Sequence, residues 1–360
     1  MPADTANHAR ASQHITNFGE NLGLRLRPGN GARVLQSVTA TATTPAAAAA
    51  VATTTAAPAP PATTAAPAPA ASKTASRATA SSARATASAA PTLPPPDPYW
   101  RSGDTSVRLF KGDCVSVLNA LPAESVDVIF ADPPYFLSNG GTTCRAGKRT
   151  SVDKGAWDRS QGVEENHAFN HKWLAACNRV LKPNGTIWVS GTGHVIYSVG
   201  YAMQQQGFKP LNEIVWEKPN PPPNLSCRYF THSTETILWA ARNRKSRHHF
   251  EYDTMRELNG GKQMKSVWRM TAPGKSEKTH GRHPTQKPVS LLERLLTASC
   301  PPGGVVLDPF NGSGTTGVAA VRLGHQYIGV DLENAYLDLT TARLLEAVPA
   351  LRERPALRVV

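Results

Sequence analysis

The chain has 360 residues, 40% of them hydrophobic, and its 39 Lys and Arg outnumber its 26 Asp and Glu to give a formal net charge of +13. This length suffices for one or two domains, and no apolar run reaches the roughly 18 residues of a membrane-spanning helix. The chain start lacks the basic-then-apolar order of a secretory signal, and the five cysteines are scattered without a Cys-x-x-Cys pair. We therefore expect a cytoplasmic protein without a disulfide framework, whose basic surplus favours a polyanionic partner such as nucleic acid.

The first hundred residues differ in composition from the rest. From about Ala40 to Pro96 the sequence is nearly all Ala, Thr, Pro and Ser, which provides too little apolar surface to offset the entropy of ordering the chain. We expect a disordered extension over 1–98 and a folded domain over 99–360. The alternative, in which Arg77 and Arg84 help to recruit DNA, rests on sparse charges.

The folded part alternates short β-type runs with helical patterns, in chain order. The predicted strands are Val107–Phe110, Val126–Ala131, Thr186–Val189, Asn212–Trp216, Glu235–Ala241, Val305–Asp308 and Tyr327–Val330. The predicted helices are Val115–Leu121, Asn166–Val180, Val195–Gln206, Val289–Ser299, Thr315–Leu323 and Asn334–Leu345. Strands separated by helices imply a mostly parallel sheet covered on both faces, in which a ligand lies beyond the carboxyl ends of the strands.

The predicted strand at 126–131 leads directly into Asp132-Pro133-Pro134-Tyr135. The prolines fix φ and remove backbone donors, so this loop offers carbonyl acceptors, a carboxylate and a flat ring. Asp132 and the Pro133 carbonyl can accept the two N–H bonds of an exocyclic amine on a planar base. Tyr135 can stack on such a base once it has left its helix. The alternative is a proline turn with a capping aspartate and two packed aromatic rings.

A second strand, at 305–308, leads into a glycine-rich turn that contains Gly312, Ser313 and Gly314. Glycines allow a backbone to approach a ligand closely. The spacing is not the G-x-G-x-x-G of dinucleotide enzymes, and the Gly-Lys-Ser/Thr of a P-loop is missing. Asp331 ends the next predicted strand, where its carboxylate is placed to accept hydrogen bonds from two ribose hydroxyls.

Two more motifs surround these loops. His283-Pro284-Thr285-Gln286-Lys287-Pro288 precedes a predicted helix, and Lys287 there can bind a ligand carboxylate or be an ordinary solvated lysine. Asp113 follows the first strand, where it can accept a hydrogen bond from an adenine amine or cap the next helix.

Taken in order, these motifs resemble those of the β class of S-adenosylmethionine-dependent DNA amino-methyltransferases, in which the catalytic motif precedes the cofactor motif. The resemblance covers about 101–345 and includes the segment Ser266-Val267-Trp268-Arg269-Met270. It implies an α/β, Rossmann-like methyltransferase fold with a mostly parallel seven-stranded sheet and helices on both faces. The implied reaction is site-specific methyl transfer from S-adenosylmethionine to adenine N6 in DNA by base flipping, as in restriction–modification systems.

The resemblance also implies residue roles. The catalytic residues are Asp132, Pro133, Pro134 and Tyr135. The cofactor-binding residues are Asp113, Thr285, Lys287, Asp308, Phe310, Gly312, Ser313, Gly314, Thr315 and Asp331. Among these, Asp331 binds the ribose, Asp113 the adenine, and Lys287 with Thr285 the carboxylate end of the cofactor. No metal site is expected, because the methyl donor is already an activated sulfonium.

Two basic segments are candidates for DNA contact. The glycine-rich loop at 138–158 is predicted to be mobile without DNA and to close over the flipped base. Residues 243–282 occupy the place of the β-class target recognition region, although a merely solvated basic face is the alternative. The predicted nucleic-acid contacts are Arg145, Lys148, Arg149, Lys154, Arg244, Lys245, Arg247, Lys262, Lys265 and Arg269. Phosphate contacts are expected to dominate affinity.

Three other functions stay open at this point. A cytosine-N4 methyltransferase is the nearest, although enzymes of that type more often have Ser at the position of Asp132. A non-catalytic DNA-binding module of the same fold is disfavoured by the intact motifs, and a nicotinamide oxidoreductase by the glycine spacing. DNA is the expected partner at the nucleoid, a cognate restriction endonuclease and a homodimer are further candidates, and no membrane is involved.

Overall fold

The computed structural model describes residues 96–145, 148–151 and 153–352. For residues 143–145 and 148–149 it describes the backbone alone. The extension predicted over 1–98 lies outside this range up to residue 95. The strands are β1 (Trp100–Arg101), β2 (Val107–Lys111), β3 (Val126–Ala131), β4 (Thr142–Arg145), β5 (Lys148–Ser151), β6 (Leu181–Gly191), β7 (Lys209–Glu217), β8 (Thr234–Ala241), β9 (Val267–Arg269), β10 (Val305–Asp308) and β11 (Gln326–Asp331). The helices are α1 (Cys114–Ala120), α2 (Val163–Val180), α3 (Ile196–Gln205), α4 (Tyr252–Leu258), α5 (Val289–Ser299), α6 (Thr315–Arg322) and α7 (Asn334–Ala347).

One sheet organises the domain, in the order β1-β2-β11-β10-β3-β6-β8-β7-β9. The five neighbouring strands β2, β11, β10, β3 and β6 are parallel to one another. Strand β8 runs antiparallel to both β6 and β7. Strand β7 therefore points the same way as the parallel set, and so does β9, which pairs parallel with β7. The carboxyl ends of β3, β6, β7, β10 and β11 consequently meet at one edge of the sheet, which we call the carboxyl edge.

Both faces of the central strands are buried, which explains their continuous apolar character. In β3, Ile129 and Ala131 point into a core with α1, α2 and α3, while Val128 and Phe130 point into a second core with α5, α6 and α7. The second core shows helical periodicity in α5, because Leu291, Leu292, Leu295 and Leu296 are fully buried.

The predicted strands and helices are present with ends that differ by a few residues, and the expected methyltransferase sheet is confirmed. Seven strands form its body, and the short strands β1 and β9 add an edge on either side. The sequence analysis did not predict β1, β9, helix α4 or the β4–β5 hairpin. Helix α2 ends at Val180, as predicted, and Pro183-Asn184-Gly185 lie within β6. A register shift between β3 and β6 accommodates them, as is usual for a bulge.

No helix in the described part of the chain is long and apolar enough to cross a membrane.

Candidate active site

The motif residues of the sequence converge on one cavity at the carboxyl edge. It is lined by all four predicted catalytic residues, Asp132 to Tyr135, and by the predicted cofactor residues apart from Gly314. Those cofactor residues are Asp113, Thr285, Lys287, Asp308, Phe310, Gly312, Ser313, Thr315 and Asp331. They follow β2, β3, β10 and β11 or precede α5, so the parallel arrangement of the strands brings them together from positions up to 218 residues apart in the chain.

Asp132 is held by three side chains at the end of β3. Its Oδ1 accepts hydrogen bonds from the Tyr135 hydroxyl at 2.7 Å and the Ser190 hydroxyl at 2.5 Å. Its Oδ2 forms a salt bridge with the Lys287 ammonium group. Glu235 lies behind this group, with Oε2 3.7 Å from the Lys287 nitrogen and Oε1 paired with Lys218. The sequence analysis did not select Ser190, Glu235 or Lys218, because they lie inside or beside strands β6, β7 and β8 without a recognisable motif.

This network keeps Asp132 ionised despite its burial. Burial by itself raises the pKa of the carboxyl group, but the charge of Lys287 and the hydrogen bonds from Lys287, Ser190 and Tyr135 outweigh burial and lower it. Burial likewise opposes the charge of Lys287, yet Asp132 and Glu235 raise its pKa. The pKa of the Tyr135 hydroxyl is well above its usual range because of burial and the two nearby carboxylates. The site therefore presents a charged acceptor beside a neutral phenol.

The loop after Asp132 is fixed by Asp158, a second residue that the motifs did not reveal. The buried Asp158 carboxylate accepts backbone hydrogen bonds from Tyr135 and Phe136, both at 2.9 Å, and from Leu137 at 3.3 Å. Phe136 has φ of +57°, which is unfavourable for a non-glycine residue. Three hydrogen bonds to one carboxylate hold the loop in this conformation and set the orientation of the Tyr135 ring.

The glycine-rich turn forms the other side of the cavity. The Gly312 amide donates to Asp331 Oδ2 at 2.7 Å, which ties the turn to the end of β11. Gly314 lies behind the lining residues, where φ is +70° and a Cβ would come within 2.4 Å of Thr340. Its contribution is therefore the shape of the turn, because no other residue fits this conformation and spacing.

Among the residues that the structure describes, no cation is a direct partner of the carboxylates on this side. Asp308 accepts hydrogen bonds from the Thr316 hydroxyl and the Phe310 amide, but burial dominates and raises its pKa to about 7. Burial also raises the pKa of Asp331 to about 6. Asp113 caps α1 by accepting from the Ser116 amide at 2.9 Å and also lines the cavity, so the two roles considered for it are compatible.

Aromatic side chains complete the cavity wall. Trp157 stacks on His283, and His283 meets Tyr336 edge-on, with ring centroids 4.5 Å apart. Phe169 lies between Phe136 and Phe310. Burial lowers the pKa of His283 to about 4, so this ring is neutral at physiological pH. His283 belongs to a predicted motif in which only Thr285 and Lys287 were assigned a role. The other aromatic residues apart from Phe310 were not predicted, because they come from separate loops and helices.

The structure separates the predicted DNA contacts into two groups. Lys154 lies over the Tyr135 ring at 5.1 Å and lines the cavity, and Arg269 ends β9 at the carboxyl edge. Arg244, Lys245 and Arg247 follow β8, which is antiparallel, and therefore lie at the opposite edge of the sheet. An eight-residue strand places that edge roughly 25 Å away. Lys262 and Lys265 precede the short strand β9, which pairs with the last three residues of β7, so strand direction does not place them at the opposite edge.

The remaining three predicted contacts belong to the β4–β5 hairpin in the 138–158 loop. Arg145 ends β4, and Lys148 and Arg149 begin β5. Their side chains lie outside the described part of the structure, so their role in DNA contact stays a prediction. The predicted mobility of this loop stays a prediction too.

The fold and the site together define a Rossmann-like methyltransferase in which the Asp132–Tyr135 loop lies beside a glycine-rich turn. Residues 126–342 match a protein family described as DNA methylase, and the chain belongs to this family. It is 58% identical over 237 residues to the type II methyltransferase M2.DpnII of Streptococcus pneumoniae, with 66% of this chain and 88% of that protein covered. It is 49% identical over 255 residues to the type II methyltransferase M2.MboI of Moraxella bovis, with 71% and 93% covered.

Solved structures agree with this assignment. A crystal structure of an M1.HpyAVI–SAM complex has a TM-score of 0.51 and 26% identity, with 66% of this chain and 98% of that chain covered. The cytosine-N4-specific PvuII DNA methyltransferase has a TM-score of 0.56 at 17% identity, with 71% and 94% covered, which shows likeness of fold alone. The expected fold, DNA methyltransferase class and S-adenosylmethionine cofactor are confirmed.

Proposed function

We propose that this DNA methyltransferase modifies adenine N6, with Asp132, Pro133, Pro134 and Tyr135 as its catalytic residues. The observation that carries the proposal is the ionised Asp132 carboxylate, which opens into the same cavity as the glycine-rich cofactor turn. A target amine bound there lies beside the methyl donor. Because a base inside a duplex cannot reach such a cavity, the adenine has to leave the helix first.

The reaction needs orientation more than acid–base power. Asp132 and the Pro133 carbonyl accept hydrogen bonds from the two N–H groups of the amine. This orientation turns the lone pair of the amine nitrogen toward the methyl carbon. When bound, S-adenosylmethionine would supply the methyl group, and S-adenosylhomocysteine would be the leaving group that takes the electron pair of the broken C–S bond. The cationic methylated amine then gives one proton to Asp132. Alignment of this kind can contribute about 7–11 kcal/mol to lowering the barrier.

Tyr135 provides the stacking surface for the flipped base. Its hydroxyl donates to Asp132 at 2.7 Å, and its backbone amide donates to Asp158. Both ends of the side chain are therefore fixed before a base arrives, which reduces the entropy lost on binding. Pro134 keeps the loop rigid between these two anchors.

The cofactor lies along the glycine-rich turn in this proposal. Asp331 accepts hydrogen bonds from the ribose hydroxyls, and Asp113 accepts from the adenine amine. Lys287 donates to Asp132 and has further protons for the cofactor carboxylate, so one ammonium group can serve both. Thr285 assists at the carboxylate end. The remaining cofactor residues shape or line the turn.

The wider setting is also part of the proposal. Relatives with type II methyltransferase names support a restriction–modification role, with a cognate endonuclease and a homodimer as candidate partners and the nucleoid of the cytoplasm as location. We assign DNA target recognition to 243–282, where Arg269 and the residues that follow β9 are on the catalytic side. Residues 1–98 are assigned as a dispensable tether.

A methylation assay tests the base assignment. Wild-type protein and Asp132→Asn are incubated with labelled S-adenosylmethionine and unmethylated genomic DNA, followed by nucleoside analysis and mapping of modified sites. We expect N6-methyladenine at a short repeated sequence from the wild type and no product from the variant. N4-methylcytosine instead would retain the enzyme class and overturn the choice of base.

A further inference from the structure

The connection between β7 and β8, residues 218–233, is an exposed aromatic loop at the carboxyl edge. Phe230 is 95% exposed, and Tyr229 and Leu225 are 60% and 51% exposed. The loop contains Arg228 and Lys218 but no acidic residue. Three large exposed apolar or aromatic side chains within six residues, next to a cation, form a surface suited to a planar and anionic partner.

The base of the aromatic loop is tied to the catalytic network. The Lys218 amide donates to the Ser233 carbonyl at 2.7 Å, which closes the loop. Lys218 also pairs with Glu235, whose other oxygen is 3.4 Å from the Tyr135 hydroxyl. A single residue thus separates the base of the loop from the side chain that contacts Asp132.

A second contact places the exposed end of the loop on the same side. The His232 ring lies 6.3 Å from the ring of His194, and Tyr229 packs against His232 at 5.4 Å. His194 follows the end of β6, where Ser190 donates to Asp132. The aromatic loop therefore lies on the same edge of the sheet as Asp132, next to the connection that follows β6.

The loop is also held in shape by its own contacts. The Asn224 side chain donates to the Tyr229 carbonyl at 2.6 Å and accepts from the Ser226 amide at 2.9 Å. Cys227 has φ of +52°, so the turn is sharply bent at this point. Four prolines between 219 and 223 stiffen the approach. A rigid loop loses little entropy when its exposed rings bind.

We propose that Phe230 stacks on the DNA bases next to the target and occupies the gap that the flipped adenine leaves. This inference rests on the base-flipping function proposed above. Removing one base from a duplex exposes two stacking faces, and apolar wedges between base steps are an established way to fill such space. Arg228 contacts the adjacent phosphate, while Tyr229 packs against His232 at the base of the loop.

Fluorescence and binding measurements on three variants test the proposal. The DNA carries 2-aminopurine at the mapped target, so that its fluorescence rises when the base unstacks. We expect Phe230→Ala to weaken DNA binding by about fivefold to a hundredfold, the range for loss of one stacked base. The fluorescence rise should become smaller as well. Phe230→Trp keeps both, and Tyr201→Ala, which removes a 59% exposed aromatic side chain from α3, is the control.

A chemical measurement locates the loop without any substitution. Cys227 is exposed next to Arg228, whereas Cys114, Cys177 and Cys300 are buried. Alkylation of Cys227, followed by peptide mass spectrometry, should slow when target DNA is added with a cofactor analogue. An unchanged alkylation rate would overturn the proposal.

Three other results would count against it. Wild-type affinity and fluorescence in Phe230→Ala would remove the stacking role. If Phe230→Ala lost a dimer that the wild type forms in sedimentation experiments, while DNA binding stayed unchanged, the loop would belong to a protein interface instead. Failure of the wild type to methylate DNA would reject the proposed function itself, and the wild-type assay alone distinguishes that outcome from the other two.

Discussion

Three aspartates lie at the ends of neighbouring strands at the carboxyl edge, and their surroundings shift the pKa of one down and the pKa values of the other two up. Asp132 at β3 is paired with Lys287, and its pKa is lowered. Asp308 at the end of β10 and Asp331 at the end of β11 have amide and hydroxyl partners, and burial raises their pKa values to about 7 and about 6. The same residue type therefore has a lowered pKa on one side of the cavity and a raised pKa on the other.

Under the proposed function, this difference matches what each side has to bind. An amine needs a permanent acceptor, so a cation keeps Asp132 ionised even though water is excluded. Ribose hydroxyls are neutral, and a carboxylate that binds them needs no cation as partner. Under the proposed function, the position of Lys287 divides the cavity into a catalytic side and a cofactor side, because only Asp132 has a cation that offsets its burial.

The largest expected effect is on the catalytic side. Asp132→Asn should lower kcat for methyl transfer by about a thousandfold, comparable to the loss of a main electrostatic contact in a transition state. Binding of S-adenosylmethionine should stay near the wild-type value, measured by calorimetry. Asp253→Asn, at an exposed carboxylate on α4, is the control. Substantial turnover in Asp132→Asn would reject the assigned role.

Removing the cation tests the division directly. Lys287→Met leaves Asp132 and Glu235 as buried like charges, so the free energy of unfolding should fall by about 3–5 kcal/mol. Because the pKa of Asp132 then rises, the acidic limb of the rate profile should shift to higher pH. Urea unfolding and pH-dependent rates measure the two effects. Lys182→Met, which breaks a half-exposed pair with Asp127, should cost only about 0–1 kcal/mol.

A glycine pair tests the shape of the cofactor turn. Gly314→Ala should lower the free energy of unfolding by more than the about 1–2 kcal/mol that a left-handed residue costs, because the new methyl group meets Thr340. Gly324→Ala has a similar φ of +76° with nothing within 4 Å, so it should show the conformational cost alone. Equal effects in urea unfolding would mean that the turn adapts to the methyl group.

The smallest effect is a pH dependence of cofactor affinity. Since burial raises the pKa of Asp331 to about 6, the carboxylate becomes protonated as the pH falls through this value. If only the ionised form accepts the ribose hydroxyls, affinity should fall about tenfold for each pH unit below 6. Asp331→Asn should bind more weakly and without this slope. Equal wild-type affinity at pH 5 and pH 7 would contradict the ribose assignment.

The free energy of unfolding depends on pH in the opposite direction, through the carboxyl groups of Asp308 and Asp331. The folded chain holds a proton on Asp308 and Asp331 at a higher pH than the unfolded chain does. Their contribution to stability is therefore lost as the pH rises through about 6 to 7, while Asp132 contributes above the pKa of its unfolded form.

The sequence alone determined the strand–helix alternation, the motif loops and the family resemblance. These features are local, because apolar runs, prolines and glycines fix them within a few residues. The tertiary structure alone decided that Lys287 pairs with Asp132 from 155 residues away, that Asp158 fixes the Tyr135 loop, and that Arg244, Lys245 and Arg247 lie far from the cavity. Each of these three features depends on strand direction or on contacts between distant segments. None of them has a signature in the order of residues along the chain.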